Sequence, residues 1–206
     1  MSPPSITERG QRTRERLLEA ATQELLAHQG HLEFAAVATR AGVSAGAPYR
    51  HFASKSDLLV TLVDAFYDEW EALAYRPTFE AMSDDWWERE KERLRVTVGF
   101  HYRHPLGSLI HQRLGDAEAV RHHQVRADRL IRGAVKNVSR GKSLGRVPAH
   151  IDATLCGPLL MGGVGQCLHA ALGGKRPLAR KRVLAQLHHF MARVLCIDAP
   201  EKGAHR

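Results

Sequence analysis

The fold is decided by residues 34–52, which read FAAVATRAGVSAGAPYRHF. The spacing predicts a short helix from Phe34 to Ala41 and a second short helix from Ser44 to Phe52. Gly42 lies between them, where a tight turn requires a positive φ that glycine adopts without steric cost. Ser44 is in position to act as the N-cap of the second helix. Two short helices joined by such a turn are typical of a helix-turn-helix unit.

Apolar residues on both sides of this unit recur at helical spacing, and we find no alternating pattern typical of strands. The motif Ser-Lys-Ser-Asp at 54–57 is a capping box that opens a long helix, which ends before Pro77. Ser83 is the predicted N-cap of the following helix. We therefore predict an all-α protein. Its predicted helices are residues 7–29, 34–41, 44–52, 56–76, 84–103, 116–140, 149–172 and 178–196, with a further short helix within 107–115.

The composition is that of an ordinary globular protein, with 206 residues of which 44% are apolar and 25% charged. It excludes disordered and fibrous classes. The formal net charge is +8, but residues 1–55 carry seven basic and five acidic side chains, whereas residues 116–206 carry 16 basic and 6 acidic ones. The overall charge is therefore weak support for a nucleic-acid site in the N-terminal part. The three cysteines match neither a disulfide framework nor a CxxC metal motif, which favours a reducing compartment.

Residues 153–174 contain no Asp, Glu, Lys or Arg, and these 22 residues are about long enough to cross a bilayer. Six of them are glycine, and Pro158 interrupts the stretch. We interpret it as a buried helix and expect no membrane partner. The N-terminus lacks the apolar core of a secretory signal peptide, so we expect a cytoplasmic protein.

Two further motifs surround the helix-turn-helix unit. Residues 13–21 read TRERLLEAA, and residues 44–55 read SAGAPYRHFASK. Together with Gln29-Gly30 and the Ala-Gly-Val-Ser turn, they resemble the DNA-binding domain of the TetR/AcrR family of transcriptional regulators. The resemblance extends over about Thr13 to Phe66. It implies a three-helix DNA-binding domain in residues 1–55. It also implies a helical domain in residues 56–206 that binds a ligand and dimerises through its last two helices.

The resemblance implies double-stranded operator DNA as a partner, with the second short helix in the major groove. Small side chains at the start of this helix permit close approach to base edges, so direct readout depends on Arg50 or on DNA shape. We expect Tyr49, His51 and Lys55 to reach phosphates, and we expect Phe52 and the ring of Tyr49 to pack on the core. The predicted DNA-binding residues are Arg40, Ser44, Ala45, Gly46, Ala47, Tyr49, Arg50, His51 and Lys55.

In the C-terminal domain, the resemblance implies a pocket for an unknown small-molecule effector. Aromatic residues at helical spacing are the candidate lining, with plain core packing as the alternative. The predicted ligand-binding residues are Phe66, Trp70, Phe100 and Tyr102. The last two helices are too apolar to face water, so we expect a homodimer that buries them as a four-helix bundle. Close approach of these helices would use Gly157, Gly162, Gly163 and Ala170.

The remaining signals indicate no catalytic, metal or cofactor site. His101 and His104 lie one turn apart, and His122-His123 lie on another helix, but no Cys or carboxylate completes a metal-ligand set at recognisable spacing. No nucleophile and base stand in a catalytic arrangement. Cys156 and Cys167 are interpreted as buried thiols, with redox sensing as the alternative.

We therefore predict a cytoplasmic, homodimeric, ligand-responsive transcriptional repressor that binds a pseudo-palindromic operator. We expect neither enzymatic activity nor a cofactor. One alternative is a helical enzyme or a metal- or haem-binding protein in which the N-terminal turn is incidental. Another is a membrane-attached protein that uses residues 153–174.

Overall fold

Helices form the regular structure of the described part of the chain. The computed structural model describes residues 8–75, 83–110, 116–174 and 176–197. The α-helices in these ranges are α1 (Glu8–Ala27), α2 (Phe34–Ala41), α3 (Ala47–His51), α4 (Lys55–Ala74), α5 (Trp86–Arg103), α6 (Ala117–Ser143), α7 (Ala153–Leu172) and α8 (Arg180–Val194), and a 3-10 helix covers Pro105–Ser108. No strand occurs within the described ranges, and the all-α prediction is confirmed.

Two helix starts differ from the prediction because aspartates cap them. The carboxylate of Asp85 accepts the N–H groups of Trp87 and Glu88, so α5 begins at Trp86. Ser83, the predicted cap, instead accepts the N–H of Asp85. Asp152 caps α7 in the same way, which moves its start from residue 149 to Ala153. The predicted short helix within 107–115 overlaps the 3-10 helix, and its residues 111–115 lie outside the described ranges.

The first three helices pack around one apolar cluster that α4 completes. Its fully buried members include Leu17, Ala21, Val37, Leu58 and Val63. The capping box at the start of α4 is confirmed. The Ser54 hydroxyl oxygen accepts the N–H of Asp57 at 3.0 Å, and the Asp57 carboxylate accepts the N–H of Ala53 at 2.9 Å.

This apolar cluster crosses the predicted domain boundary between residues 55 and 56. On α4 it continues through Phe66, Tyr67 and Trp70, and on α5 it includes Phe100. A second apolar cluster joins α5, α6, α7 and α8. α4 therefore connects the N-terminal helices directly to the core of the C-terminal part.

Ion pairs also join α4 and α6. The guanidinium of Arg126 on α6 lies 2.7 Å from the Asp68 carboxylate and 3.0 Å from the Glu71 carboxylate. It also lies over the ring of Tyr67, and only 14% of the Arg126 side chain is exposed. Burial lowers the pKa of Arg126, but the hydrogen bond with Asp68 and the charge of Glu71 outweigh burial and hold that pKa above its usual value.

Two glycines let α7 approach its neighbours closely. A Cβ atom at Gly157 would lie 2.6 Å from Cγ2 of Val135 on α6, and one at Gly163 would lie 2.4 Å from Cζ of Phe190 on α8. Both glycines therefore serve contacts within the chain, whereas the sequence analysis assigned them to a contact between two chains. Among the described residues, α7 is also the helix whose length and composition would allow a membrane span. A buried core helix has the same character.

Two glycine-to-alanine substitutions in the α6–α7 pair should change stability in opposite directions. A Cβ atom at Gly133 on α6 meets no atom within 4 Å. Gly133→Ala should therefore raise the free energy of unfolding by about 0.5–1 kcal/mol through helix propensity. Gly157→Ala should lower it by about 1–3 kcal/mol, because the new methyl group overlaps Val135. Urea denaturation measures both changes, and changes of the same sign would contradict this packing.

Candidate functional site

The turn between α2 and α3 is closed by backbone and side-chain hydrogen bonds. Gly42 has a φ of +63°, as predicted, and its N–H donates to the Thr39 carbonyl at 3.1 Å. Arg16 on α1 donates to the carbonyl oxygens of Ala41 and Gly42. These carbonyls end α2 and have no partner within the helix. Arg16 thus fixes the turn from outside, a role that the sequence pattern did not reveal.

The start of α3 differs from the prediction at two of the expected DNA-binding residues. Ser44 is not a side-chain N-cap, because α3 begins at Ala47, Gly46 is its N-cap residue, and no side chain caps it. The backbone carbonyl of Ser44 accepts the Ala47 N–H at 2.9 Å. Pro48 follows in the first turn, where its missing N–H costs nothing. Ala47 was expected to touch base edges, but it is only 1% exposed and packs inside the domain.

The other predicted DNA-binding residues lie on α3, in the turn before it, on α2 and at the start of α4. Ser44, Ala45 and Gly46 are exposed in the turn before α3, and a Cβ atom at Gly46 would meet no neighbour within 4 Å. Tyr49 and Arg50 are exposed on α3, and His51 is half-buried there. The remaining exposed members, Arg40 and Lys55, lie on α2 and at the start of α4.

Tyr49 projects from the domain instead of packing into it, which corrects the prediction for its ring. Its side chain is 68% exposed, and only the ring contacts Phe34, with 4.9 Å between ring centroids. Phe52 is buried as predicted, and the guanidinium of Arg14 lies over its ring. The Tyr49 hydroxyl therefore stands away from the core, where a hydrogen-bond acceptor can reach it.

Two of the cationic side chains on this surface are held by carboxylates. Arg40 Nε lies 2.5 Å from a carboxylate oxygen of Glu24, a buried residue of α1. This ion pair joins α2 to α1, so the Arg40 guanidinium is less available for a DNA contact than the sequence suggested. Lys55 Nζ lies 3.4 Å from the exposed carboxylate of Glu33. An exposed pair of this kind contributes little stability, so Lys55 can exchange Glu33 for another anion.

A cavity of about 530 Å³ lies in the C-terminal part, among α4, α5, α6, α7 and α8. Among the predicted ligand-binding residues, Trp70 lines it. Phe66 and Phe100 lie instead in the core, with their ring centroids 5.0 Å apart. The hydroxyl of Tyr102 donates to the Leu178 carbonyl at 2.8 Å, on a different side of α5. The prediction that these four residues share a pocket is therefore wrong.

The cavity wall is mainly apolar, and its indole N–H groups are already paired. Trp70 Nε1 donates to the Thr97 hydroxyl at 3.1 Å, and Trp86 Nε1 donates to the Asn137 carbonyl oxygen at 3.2 Å. Burial raises the pKa of Tyr75 to about 12, so its hydroxyl stays protonated at neutral pH. The lining residues are Trp70, Tyr75, Trp86, Glu90, Arg93, Leu94, Thr97, Gly133, Ala134, Lys136, Asn137, Val138, Arg140, Leu160, Met161, Val164, Met191 and Leu195.

The histidines considered as metal ligands each have a local partner. His101 is buried against the rings of Phe66 and Trp70, and burial lowers its pKa to about 4. His104 accepts the N–H of Leu106, and His123 contacts the Tyr67 hydroxyl at 3.0 Å. Within the described ranges, no group of three or more His, Cys, Asp or Glu side chains could hold a metal ion.

A helix-turn-helix unit joined to a cavity-bearing helical domain is the arrangement expected of a DNA-binding transcriptional regulator. Residues 17–62 match the sequence model of the family described as "Bacterial regulatory proteins, tetR family". The match covers 46 of the 206 residues and includes the helix-turn-helix unit and the first part of α4. The match to a family of regulatory proteins supports DNA and a second copy of the chain as partners. No curated protein sequence gives a significant match.

Solved structures with the same fold cover nearly the whole chain. The repressor SmeT of the Stenotrophomonas maltophilia multidrug efflux pump SmeDEF superposes with a TM-score of 0.74 at 18% identity, covering 91% of each chain. The fatty acid degradation regulator FadR from Bacillus halodurans superposes with a TM-score of 0.73 at 18% identity, covering 94% of this chain and 97% of its own. At such identities, the likeness concerns the fold and not the ligand or the operator.

Proposed function

We propose that the protein is a cytoplasmic, homodimeric repressor that binds a pseudo-palindromic operator and responds to a small molecule in the cavity. The observation that carries the proposal is the exposed surface around α3, in which Tyr49, Arg50 and Lys55 project from a rigid three-helix core. A short helix of this kind fits the major groove, which is about 12 Å wide. A regulatory role accounts for these features better than an enzymatic one.

We divide the surface into phosphate contacts and base contacts. Tyr49 and Lys55 donate to phosphates on either side of the groove, and the N-terminus of α4 adds its positive dipole near Lys55. Arg50 is the long donor on α3 that can pair with a base edge. Ser44, Ala45 and Gly46 are small and exposed, so the backbone before α3 can approach the bases.

The dimer that we propose uses the outer face of α7. Leu155 and Leu159 on this face are 64% and 62% exposed, and Gly162 and Ala170 lie exposed further along the helix. A second copy that presents the same face can bury these residues in a two-fold contact. Leu187 on α8 is unsuitable as an interface residue, because it is only 2% exposed within one chain.

We propose that α6 transmits the ligand signal to the DNA end. Six of the residues between 133 and 140 of α6 line the cavity, and Asp116 caps the other end of this helix. The carboxylate of Asp116 accepts a hydrogen bond from the Ser56 hydroxyl at 2.6 Å. Ser56 follows Lys55 in the first turn of α4. A displacement of α6 by a ligand would therefore shift the start of α4 and, in a dimer, the separation of the two α3 helices.

Substitutions in the DNA surface should separate phosphate contacts from base contacts. Lys55→Ala should weaken binding to all sequences by a similar factor and lower the salt slope by about 1, because one phosphate contact is lost. Arg50→Ala should remove about 1–3 kcal/mol of discrimination at one base pair. Genomic fragments selected by the purified protein supply the operator, and fluorescence anisotropy across a salt series measures both effects.

Lys91→Ala removes a charge from α5 and serves as the matched control. If folded Lys55→Ala protein keeps the wild-type affinity and salt slope, the phosphate contact is wrong. If Arg50→Ala weakens binding to all DNA sequences by a similar factor, Arg50 contacts a phosphate and not a base.

Leu159→Glu should produce monomers, since it places a charge in the proposed dimer contact. Val125→Glu is the control, because Val125 on α6 has a similar exposure of 64% but lies outside the proposed face. Analytical ultracentrifugation at micromolar concentration measures the result. A wild-type protein that stays monomeric, or a Leu159→Glu protein that stays dimeric, would contradict the proposed interface.

Ser56→Ala should uncouple the cavity from the DNA surface. The ligand is a molecule whose binding changes the fluorescence of the cavity tryptophans. In the wild-type protein, the factor by which this ligand changes the affinity for operator should equal the factor by which operator changes the affinity for the ligand. In Ser56→Ala both factors should shrink together, with each separate affinity retained. Gly133→Leu should abolish ligand binding, because its side chain would extend into open cavity space. Undiminished coupling in Ser56→Ala would show that the signal takes another route.

A further inference from the structure

We infer that Cys156 and Cys196 form an oxidation site, at which hydrogen peroxide converts two free thiols into a disulfide between α7 and the end of α8. Cys156 is buried in the first turn of α7. Cys196 is exposed and lies two residues after the last residue of α8. The inference concerns these thiols alone, so it does not depend on the proposed function.

The helices α7 and α8 pack against each other in antiparallel directions. Next to the loop that joins them, the Ala171 carbonyl accepts the N–H of Leu178 at 2.9 Å. Farther from the loop, Gly163 faces Phe190, and a Cβ atom on this glycine would lie 2.4 Å from Cζ of the ring. Earlier residues of α7 are therefore paired with later residues of α8.

This register brings the two cysteines to the same end of the helix pair. Leu160 and Leu195 belong to the same apolar cluster and line the same cavity. Cys156 lies one helical turn before Leu160, and Cys196 follows Leu195 directly. Cys156 also belongs to the apolar cluster that contains Leu195. The two thiols are therefore neighbours across the contact between α7 and the end of α8.

The environment of Cys156 agrees with this placement and makes it the less reactive thiol. Burial raises the pKa of the Cys156 thiol, and the charge of Cys196 raises it further. Interactions between charges weaken with distance, so this effect requires that the two sulfur atoms lie near each other. With a raised pKa and little exposure, Cys156 stays protonated and is a poor first target for an oxidant.

Cys196 has a backbone conformation in which glycine is usual. Its φ is +50°, in the left-handed region. The N–H of Cys196 donates to the Arg193 carbonyl at 3.2 Å, and the N–H of Ile197 donates to the Ala192 carbonyl at 2.9 Å. These bonds form a Schellman motif, whose left-handed position strains any side chain. Strained residues cluster at functional sites, which supports a role for this thiol.

The oxidation takes two steps and consumes one molecule of hydrogen peroxide. The exposed Cys196 thiolate attacks a peroxide oxygen, so an S–O bond forms and the O–O bond breaks. The leaving hydroxide takes up a proton and becomes water. The Cys156 sulfur then attacks the Cys196 sulfur, and the S–O bond breaks as the S–S bond forms. The second hydroxide leaves as water with the proton of Cys156, so two thiols are oxidised and the peroxide is reduced to two waters.

Cys167 is unsuitable as the partner of Cys156 and serves as an internal control. It lies eleven residues after Cys156 on the same helix, which corresponds to about 16 Å along the axis. A disulfide requires Cα atoms within about 7 Å of each other. The Cys167→Ser protein should therefore form the bond between Cys156 and Cys196 as readily as the wild-type protein.

Peptide mapping by mass spectrometry tests the pairing in the full-length protein. Cys167→Ser protein is treated with hydrogen peroxide, its remaining thiols are alkylated, and it is cleaved after Lys and Arg without reduction. Residues 147–175 and 194–202 should appear as one linked peptide, from a chain that stays single on a denaturing gel without reductant. Absence of the linked peptide would overturn the inference, and so would a bond between Cys196 residues of two chains.

Two further substitutions on the same background test the role of each thiol. Cys156→Ser should stop the reaction at the sulfenic acid of Cys196, which dimedone traps. Cys196→Ser should leave Cys156 unmodified under the same treatment, because Cys156 is buried. Equal oxidation of Cys156 with and without Cys196 would overturn the assignment of Cys196 as the first target.

Urea denaturation tests whether the bond fits the native packing. The disulfide should raise the urea midpoint, because it restricts the unfolded chain, and dithiothreitol should reverse the rise. Peroxide-treated Cys156→Ser protein is the control, since it undergoes the same exposure of Met161 and Met191 in the cavity wall to the oxidant. A midpoint below that of the treated control would overturn the inference, because it would show that the bond distorts the contact between α7 and α8.

Discussion

The burial of α4 on two sides is the constraint on which the rest of the structure depends. Its first half completes the core of the N-terminal helices through Leu58 and Val63, and its second half carries Phe66 and Trp70 into the C-terminal part. These side chains leave α4 no freedom to separate from either group of helices without exposing apolar surface. The helix that begins at Lys55, beside the exposed surface of α3, therefore also forms part of the cavity wall through Trp70.

The uneven charge along the sequence finds its explanation in the α4–α6 contact. Acidic side chains are in excess between residues 56 and 115, and basic ones after residue 115. Asp68 and Glu71 of α4 meet Arg126 of α6, and Arg129 adds a further pair with Glu71 at 3.4 Å. Part of the basic excess thus neutralises acids within the chain, which the net charge of the whole chain does not show.

Local sequence signals allowed the helices to be predicted. The sequence did not show which helices pack against each other. Gly42 and the capping box at Ser54 act over a few residues, so their geometry followed from residue type alone. The start of α3 was mistaken because residues 44–47 form a separate turn, in which the Ser44 carbonyl accepts the Ala47 N–H, and the helix begins only at Ala47. The apolar residues of α4 indicated which side of the helix is buried, but not which helices pack against that side. Phe66 consequently packs in the core while Trp70, one turn later, borders the cavity.

Arg16 connects the helix-turn-helix unit to α1. By holding the carbonyls of Ala41 and Gly42 from α1, it ties the end of α2 and the turn before α3 to α1. If the proposed switch acts through Ser56, operator sequence and ligand would be set in different parts of the chain, so substitutions in the cavity could change one and leave the other.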